Sequence, residues 1–100
     1  MYTSPSMAAN DDFKRILKAV AREAGWEILN AIAAGPTRFT ELERATKVSP
    51  RTLSERLKEF AELGLIERKA FPEVPPRVEY RLTARGARVR SALAELEAEV

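Results

Sequence analysis

Arg51, Glu55 and Lys58 recur at i, i+4 and i+7, with Thr52 and Ser54 between them and Ser49 just before. On a helix this spacing gathers a forked donor, a carboxylate acceptor, an ammonium and hydroxyls on and beside one face. Such a set moves no electrons and breaks no bonds; its chemistry is the reading of hydrogen-bonding patterns. Arg51 can donate two bonds to a guanine edge and Glu55 can accept from cytosine, and a bidentate contact discriminates by ~1–3 kcal/mol. Ser49, Thr52 and Ser54 suit phosphate oxygens, which set register rather than sequence. Arg68, Lys69 and Arg77 flank a proline-rich segment. Prolines 72, 75 and 76 stiffen it, which would hold Arg77 out toward a minor groove or phosphates, with Arg68 and Lys69 adding backbone contacts. Structural readings compete at several positions. Ser49 is first of all a helix cap, Glu55 can pair with Lys58 at i,i+3, and Arg68 can bond the hairpin to the body.

Other chemistries are excluded by composition. The chain has no histidine and no cysteine. Cys/His zinc sites, Ser-His-Asp or Cys-His catalysis, and thiol redox sensing all need residues that are missing. Carboxylate chemistry would rest on Asp11-Asp12 and on Glu95, Glu97 and Glu99, which lie toward the ends and form no expected cleft, so neither an enzyme nor a cofactor is expected. The net charge of +2 hides a basic middle: Arg38 to Arg90 holds thirteen basic and eight acidic residues. Arg77, Arg81, Arg85, Arg88 and Arg90 form the densest run, opposed within it only by Glu79. Clustered cations suit a phosphate backbone, where each neutralised phosphate releases a counterion, although charge runs also occur as plain solvated faces.

The elements that must hold these residues can be read locally. Thr40 and Glu43 stand at capping-box spacing and predict a helix over residues 40–46. Val48-Ser49-Pro50 then reads as a turn. Ser49 can cap, and Pro50 fits the first helical position because it has no N–H to lose, so a second helix is expected over 51–63. Leu53, Leu57 and Phe60 form its inward stripe, opposite Arg51, Glu55, Lys58 and Glu62. Gly64 supplies the left-handed stop. Residues 65–71 and 78–82 read as two strands, the second alternating Val78, Tyr80 and Leu82 with Glu79 and Arg81. Phe71 and Tyr80 are assigned to packing. Helix, turn, helix, glycine and basic hairpin, in that order, describe a mainly helical α+β winged helix-turn-helix.

Flanking helices extend this module. Phe13, Ile16, Leu17 and Val20 make one apolar stripe, in a helix ending near Ala24-Gly25. A core helix is expected over 26–34, with Trp26 in packing. Val89, Leu93, Leu96 and Val100 follow near-heptad spacing after a possible Thr83 cap. The terminal stripes are expected to form a homodimer interface, the competing reading being that both fold onto their own core. One domain is expected over 11–100, preceded by a flexible tail at 1–10. No run approaches ~18 apolar residues and no basic start leads an apolar stretch, so a cytoplasmic protein is expected.

Whole phrases of the chain resemble the HxlR-type winged helix-turn-helix transcriptional regulators. They are Gly35-Pro36-Thr37-Arg38-Phe39-Thr40-Glu41-Leu42, Ser49 to Glu59, Gly64-Leu65-Ile66-Glu67-Arg68 and Pro72 to Thr83, with Pro75-Pro76-Arg77-Val78-Glu79-Tyr80 the most specific. The resemblance covers roughly residues 25–95. It implies a small bacterial or archaeal homodimer on operator DNA, without naming the operator, the direction of regulation or any effector. Some family members sense oxidants through an amino-terminal cysteine, which this sequence lacks. A protein-interaction winged helix that no longer reads DNA is the alternative, kept open by Glu55, Glu59 and Glu62 beside Arg51 and Lys58. Salt dependence of binding to random duplex separates the two.

Overall fold

The computed structural model describes residues 7–100, with side chains from residue 11 onward. In chain order the elements are α1 (Met7–Ala21), α2 (Gly25–Ala33), α3 (Phe39–Thr46), α4 (Pro50–Glu62), β1 (Ile66–Phe71), β2 (Arg77–Leu82) and α5 (Ala84–Ala98). α1 begins inside the segment expected to be a tail; the rest of that segment, residues 1–6, lies outside the described residues.

The core lies where α1, α2, α3 and α4 converge on the root of the hairpin. Ile28, Leu29 and Ile32 of α2, Leu42 of α3 and Leu53, Leu57 and Phe60 of α4 are buried there. Leu65 and Ile66 close it from the hairpin side. Burial of a Leu, Ile or Phe side chain is worth ~1.5–3 kcal/mol, so this cluster holds α4 firmly by its back.

Local chemistry explains where the helices begin and stop. Ser49 caps α4 by accepting from the Thr52 N–H at 3.1 Å, with Pro50 in the first turn, as the sequence predicts. Gly64 takes φ +73° and ends the helix. α3 starts one residue earlier than expected, and its cap is different: the Arg38 N–H donates to the Glu41 carboxylate at 2.9 Å, so Glu41 rather than Glu43 is the acid of the first turn. Lys47 closes α3 in the left-handed region at φ 59°, and Ala24 does the same at φ 62° between α1 and α2. Neither residue type announces such a turn.

β1 and β2 pair antiparallel, with Ile66 opposite Leu82, Arg68 opposite Tyr80 and Phe71 opposite Arg77. Thr37 adds a short third edge that the sequence did not indicate. Its N–H donates to the Tyr80 carbonyl at 2.9 Å, and the Tyr80 N–H returns a bond at 2.8 Å. The hairpin is thereby pinned to the link before α3. Thr83 joins its other end to α5: the hydroxyl donates to the Gly64 carbonyl at 2.6 Å and accepts from the Gly86 N–H at 2.9 Å.

Candidate nucleic-acid interface

α4 turns its polar face to solvent. Because Leu53, Leu57 and Phe60 are buried, Arg51, Ser54, Glu55 and Lys58 all emerge on the exposed side. Arg51 is the freest, with a side chain 89% exposed, and its Nε lies 3.5 Å from Glu55 Oε2. Glu55 therefore pairs backward with Arg51 at i,i+4, not forward with Lys58. Ser49 is occupied on both sides, since its hydroxyl also donates to Thr52 Oγ1 at 3.1 Å. That arrangement spends Ser49 on the helix start and leaves the half-exposed Thr52 hydroxyl as the available donor.

The hairpin has two unlike faces. Ile66, Arg68, Ala70, Val78, Tyr80 and Leu82 share one, following the alternation of the register. Arg68 and Tyr80 on this face line a crevice of about 320 Å³ with Ser54, Leu57, Lys58 and Glu62 of α4. Arg68 and Lys58 thus reach the same cleft between helix and wing, and Tyr80 packs against the core beneath.

The opposite face is an ion-pair ladder. Arg77 is tied to Glu73 at 2.7 Å and to Glu79 at 3.0 Å. Its guanidinium also stacks 4.0 Å from the centre of the Phe71 ring, and Lys69 approaches the same ring at 5.4 Å. Arg81 reaches Glu79 at 3.8 Å and Glu67 at 3.9 Å. This corrects the expectation that the prolines hold Arg77 out from the sheet. The carboxylates of Glu73 and Glu79 and the ring of Phe71 draw it back, because a planar guanidinium can satisfy both acids while stacking.

The dense arginine run likewise does not form one cationic patch. Beyond Arg77 and Arg81, Arg85 lies 3.7 Å from Asp12, and Arg90 donates to the Asn30 side-chain oxygen at 2.9 Å. Sequence neighbours on a strand and a helix point in different directions, so linear density overstates local potential.

Two further contacts grip α4 along its flank, through Arg22 and Arg56, to which the sequence assigns no role, and through Glu59, which it offers only as a balancing charge. Arg56 Nε donates to the Glu23 carbonyl at 3.0 Å, and Arg22 Nε lies 3.3 Å from Glu59 Oε1. The signal available was polar residues at i,i+3 beside the apolar stripe of α4, but their partners belong to a corner that only the fold brings near.

The terminal stripes divide. Ile16 is 8% exposed and belongs to the chain's own core; Val20 and Val89 pack against that core. Phe13, Leu17, Leu96 and Val100 are exposed. Leu93 lines an apolar groove of about 440 Å³ with Val20, Trp26, Leu96, Glu97 and Val100. Trp26 is half-buried at its edge and donates from Nε1 to Glu97 Oε2 at 3.0 Å. Among the described residues no group of acids, cysteines or histidines is arranged to hold a metal ion, and no helix is long and apolar enough to cross a membrane.

Comparison with known proteins places this geometry in context. Residues 23–99 match the HxlR-like helix-turn-helix family. An uncharacterized HTH-type transcriptional regulator of Methanothermobacter thermautotrophicus is 38% identical over 85 residues, covering 80% of this chain and 65% of that protein. The HTH-type transcriptional regulator YodB of Bacillus subtilis is 36% identical over 72 residues, covering 71% of this chain and 64% of its own length. The chain therefore spans less than two thirds of either relative. A crystal structure of diamide-treated YodB superimposes with a TM-score of 0.78 at 27% identity, covering 98% of this chain and 92% of that one. Escherichia coli YtfH, an uncharacterized HTH-type transcriptional regulator, is 38% identical over 84 residues, covering 83% of this chain and 67% of that protein.

Proposed function

Since this chain belongs to the HxlR-like helix-turn-helix family, we propose that it is a cytoplasmic transcriptional regulator that binds a palindromic operator as a homodimer. The observation that carries this reading is α4, held by buried Leu53, Leu57 and Phe60 with Arg51, Ser54, Glu55 and Lys58 exposed along its free side. In this reading the first two turns of α4 enter the major groove. Arg51 and Glu55, already paired with each other, exchange that exposed pair for base edges, and the Thr52 hydroxyl donates to phosphate. Ser49 serves the interface indirectly, by fixing the start of the helix.

The wing acts beside it. Arg68 and Lys58 flank the crevice between α4 and the hairpin, where a backbone phosphate running from major to minor groove would meet both cations. Lys69 lies on the outer face, and Arg77 braces the tip that presents it. Exposed Phe13 and Leu17 on α1, with Leu96 on α5 and Val100 just past its end, support a seam between two copies. Two α4 helices related by a two-fold axis would then read half-sites ~10 bp apart or a multiple of that.

The near-balanced charge of the wing favours a second reading, a winged-helix module that docks a protein partner. Lys69, Arg77 and Arg81 are matched there by Glu67, Glu73 and Glu79. Selection of duplexes from a random DNA pool at moderate salt decides between them. An enriched palindrome is the expected result. Absence of enrichment together with salt-insensitive, negligible binding to any duplex would establish the docking module instead.

A further inference from the structure

Two polar side-chain ties join the corner that follows α1 to the flank of the helix assigned to the major groove. Arg56 donates to the Glu23 carbonyl at 3.0 Å, and Arg22 meets Glu59 at 3.3 Å. Arg56 and Glu59 are half-buried on the flank of α4, between its buried stripe and its front, where Arg51, Ser54 and Lys58 are exposed. The corner they grip is short and stiff. Ala24 sits at φ 62°, the Gly25 N–H donates to the Arg22 carbonyl at 2.9 Å, and the Ile28 N–H to the Ala24 carbonyl at 2.9 Å. Gly25 is pressed so closely on the carbonyls of Ala19 and Val20 that no side chain fits there.

Partly exposed ion pairs add little to stability, so their value here is geometric. A guanidinium aimed at a backbone carbonyl fixes direction as well as distance, because its donors are planar and rigid. With the corner stiff, a tilt of α1 must carry α4 along.

We propose that Arg22, Arg56 and Glu59 are positioning residues that fix the angle between α1 and the recognition helix α4, and so determine which half-site spacing the dimer accepts. The proposal rests on the homodimeric operator reading above, with α1 in the seam. Across a two-fold axis any change in the α1–α4 angle occurs in both copies, so it appears doubled in the separation of the two recognition helices. Adding one base pair moves a half-site by roughly 3.4 Å and rotates it by about a tenth of a turn. A rigid arm rejects that shift and a loosened arm tolerates it.

The test measures affinity for the selected palindrome, for versions lengthened or shortened by one base pair, and for an isolated half-site. Glu59→Gln and Arg56→Lys should each narrow the ratio between the preferred and shifted spacings by about two- to fivefold, the worth of an exposed polar pair. Isolated half-site discrimination against random duplex should stay as in the parent. The charge-swapped double variant Arg22→Glu/Glu59→Arg, which keeps net charge, should recover the parental ratio. Unchanged spacing ratios in both single variants, or an equal loss on the isolated half-site, would overturn the positioning role. A parent protein that enriches no palindrome would instead overturn the operator reading, and this role with it.

Discussion

Ser49 and Arg77 both carry side chains suited to phosphate, and both are already engaged within the fold. Ser49 holds the first turn of α4 through Thr52. Ser49→Ala should therefore cost about 1 kcal/mol of stability in urea unfolding, and Ser49→Asp, which still caps, should recover most of it. Arg77 spans Glu73 and Glu79 and covers Phe71. Arg77→Ala takes the partner from Glu73 and leaves Glu79 with Arg81 alone near the wing tip. Binding to the operator and to random duplex should weaken together, while the dependence of log affinity on log salt keeps its slope. A slope reduced by about 1 would instead mark Arg77 as a phosphate contact. Arg51, unencumbered apart from Glu55, should behave differently: Arg51→Ala should weaken the preferred operator more than random DNA in competition binding.

At the scale of elements, the junction of hairpin and α5 is packed backbone against backbone. A Cβ on Gly86 would overlap the Leu65 carbonyl, whose oxygen also accepts from the Thr83 N–H at 3.0 Å. Backbone meets backbone there, and nothing flexible can yield. Gly86→Ala should thus destabilise by about 1–3 kcal/mol, visible as a lower urea midpoint, with the strain of overpacking as the cause. The boundaries set by a residue's own chemistry were legible in the sequence. Ser49-Pro50 started α4, Gly64 stopped it, and the alternation of Val78, Tyr80 and Leu82 gave β2. What escaped was fixed by distant partners. Lys47 and Ala24 adopt left-handed conformations imposed by the elements they join, and Thr37 pairs with Tyr80 across more than forty residues. The same reason governs the site. The front of α4 followed from its periodicity, but the neutral wing ladder and the grip of Arg22 and Arg56 depend on which side chains the fold makes neighbours.

For the whole molecule the open question is assembly. α5 packs on α2 and β2, and toward its end it leaves Leu96 61% exposed beside the apolar groove. If the groove is the seam, Leu96→Glu should shift sedimentation from dimer toward monomer while leaving the monomer folded, because Leu96 takes no part in the core. An unchanged mass would place the interface elsewhere. Trp26 makes the same question readable without any substitution. It is the sole tryptophan, seated at the rim of that groove with its indole N–H on Glu97. Its fluorescence is therefore a built-in optical probe of the face: a second copy closing over the ring would expel water and shift the emission to the blue as protein concentration rises, with no dye attached.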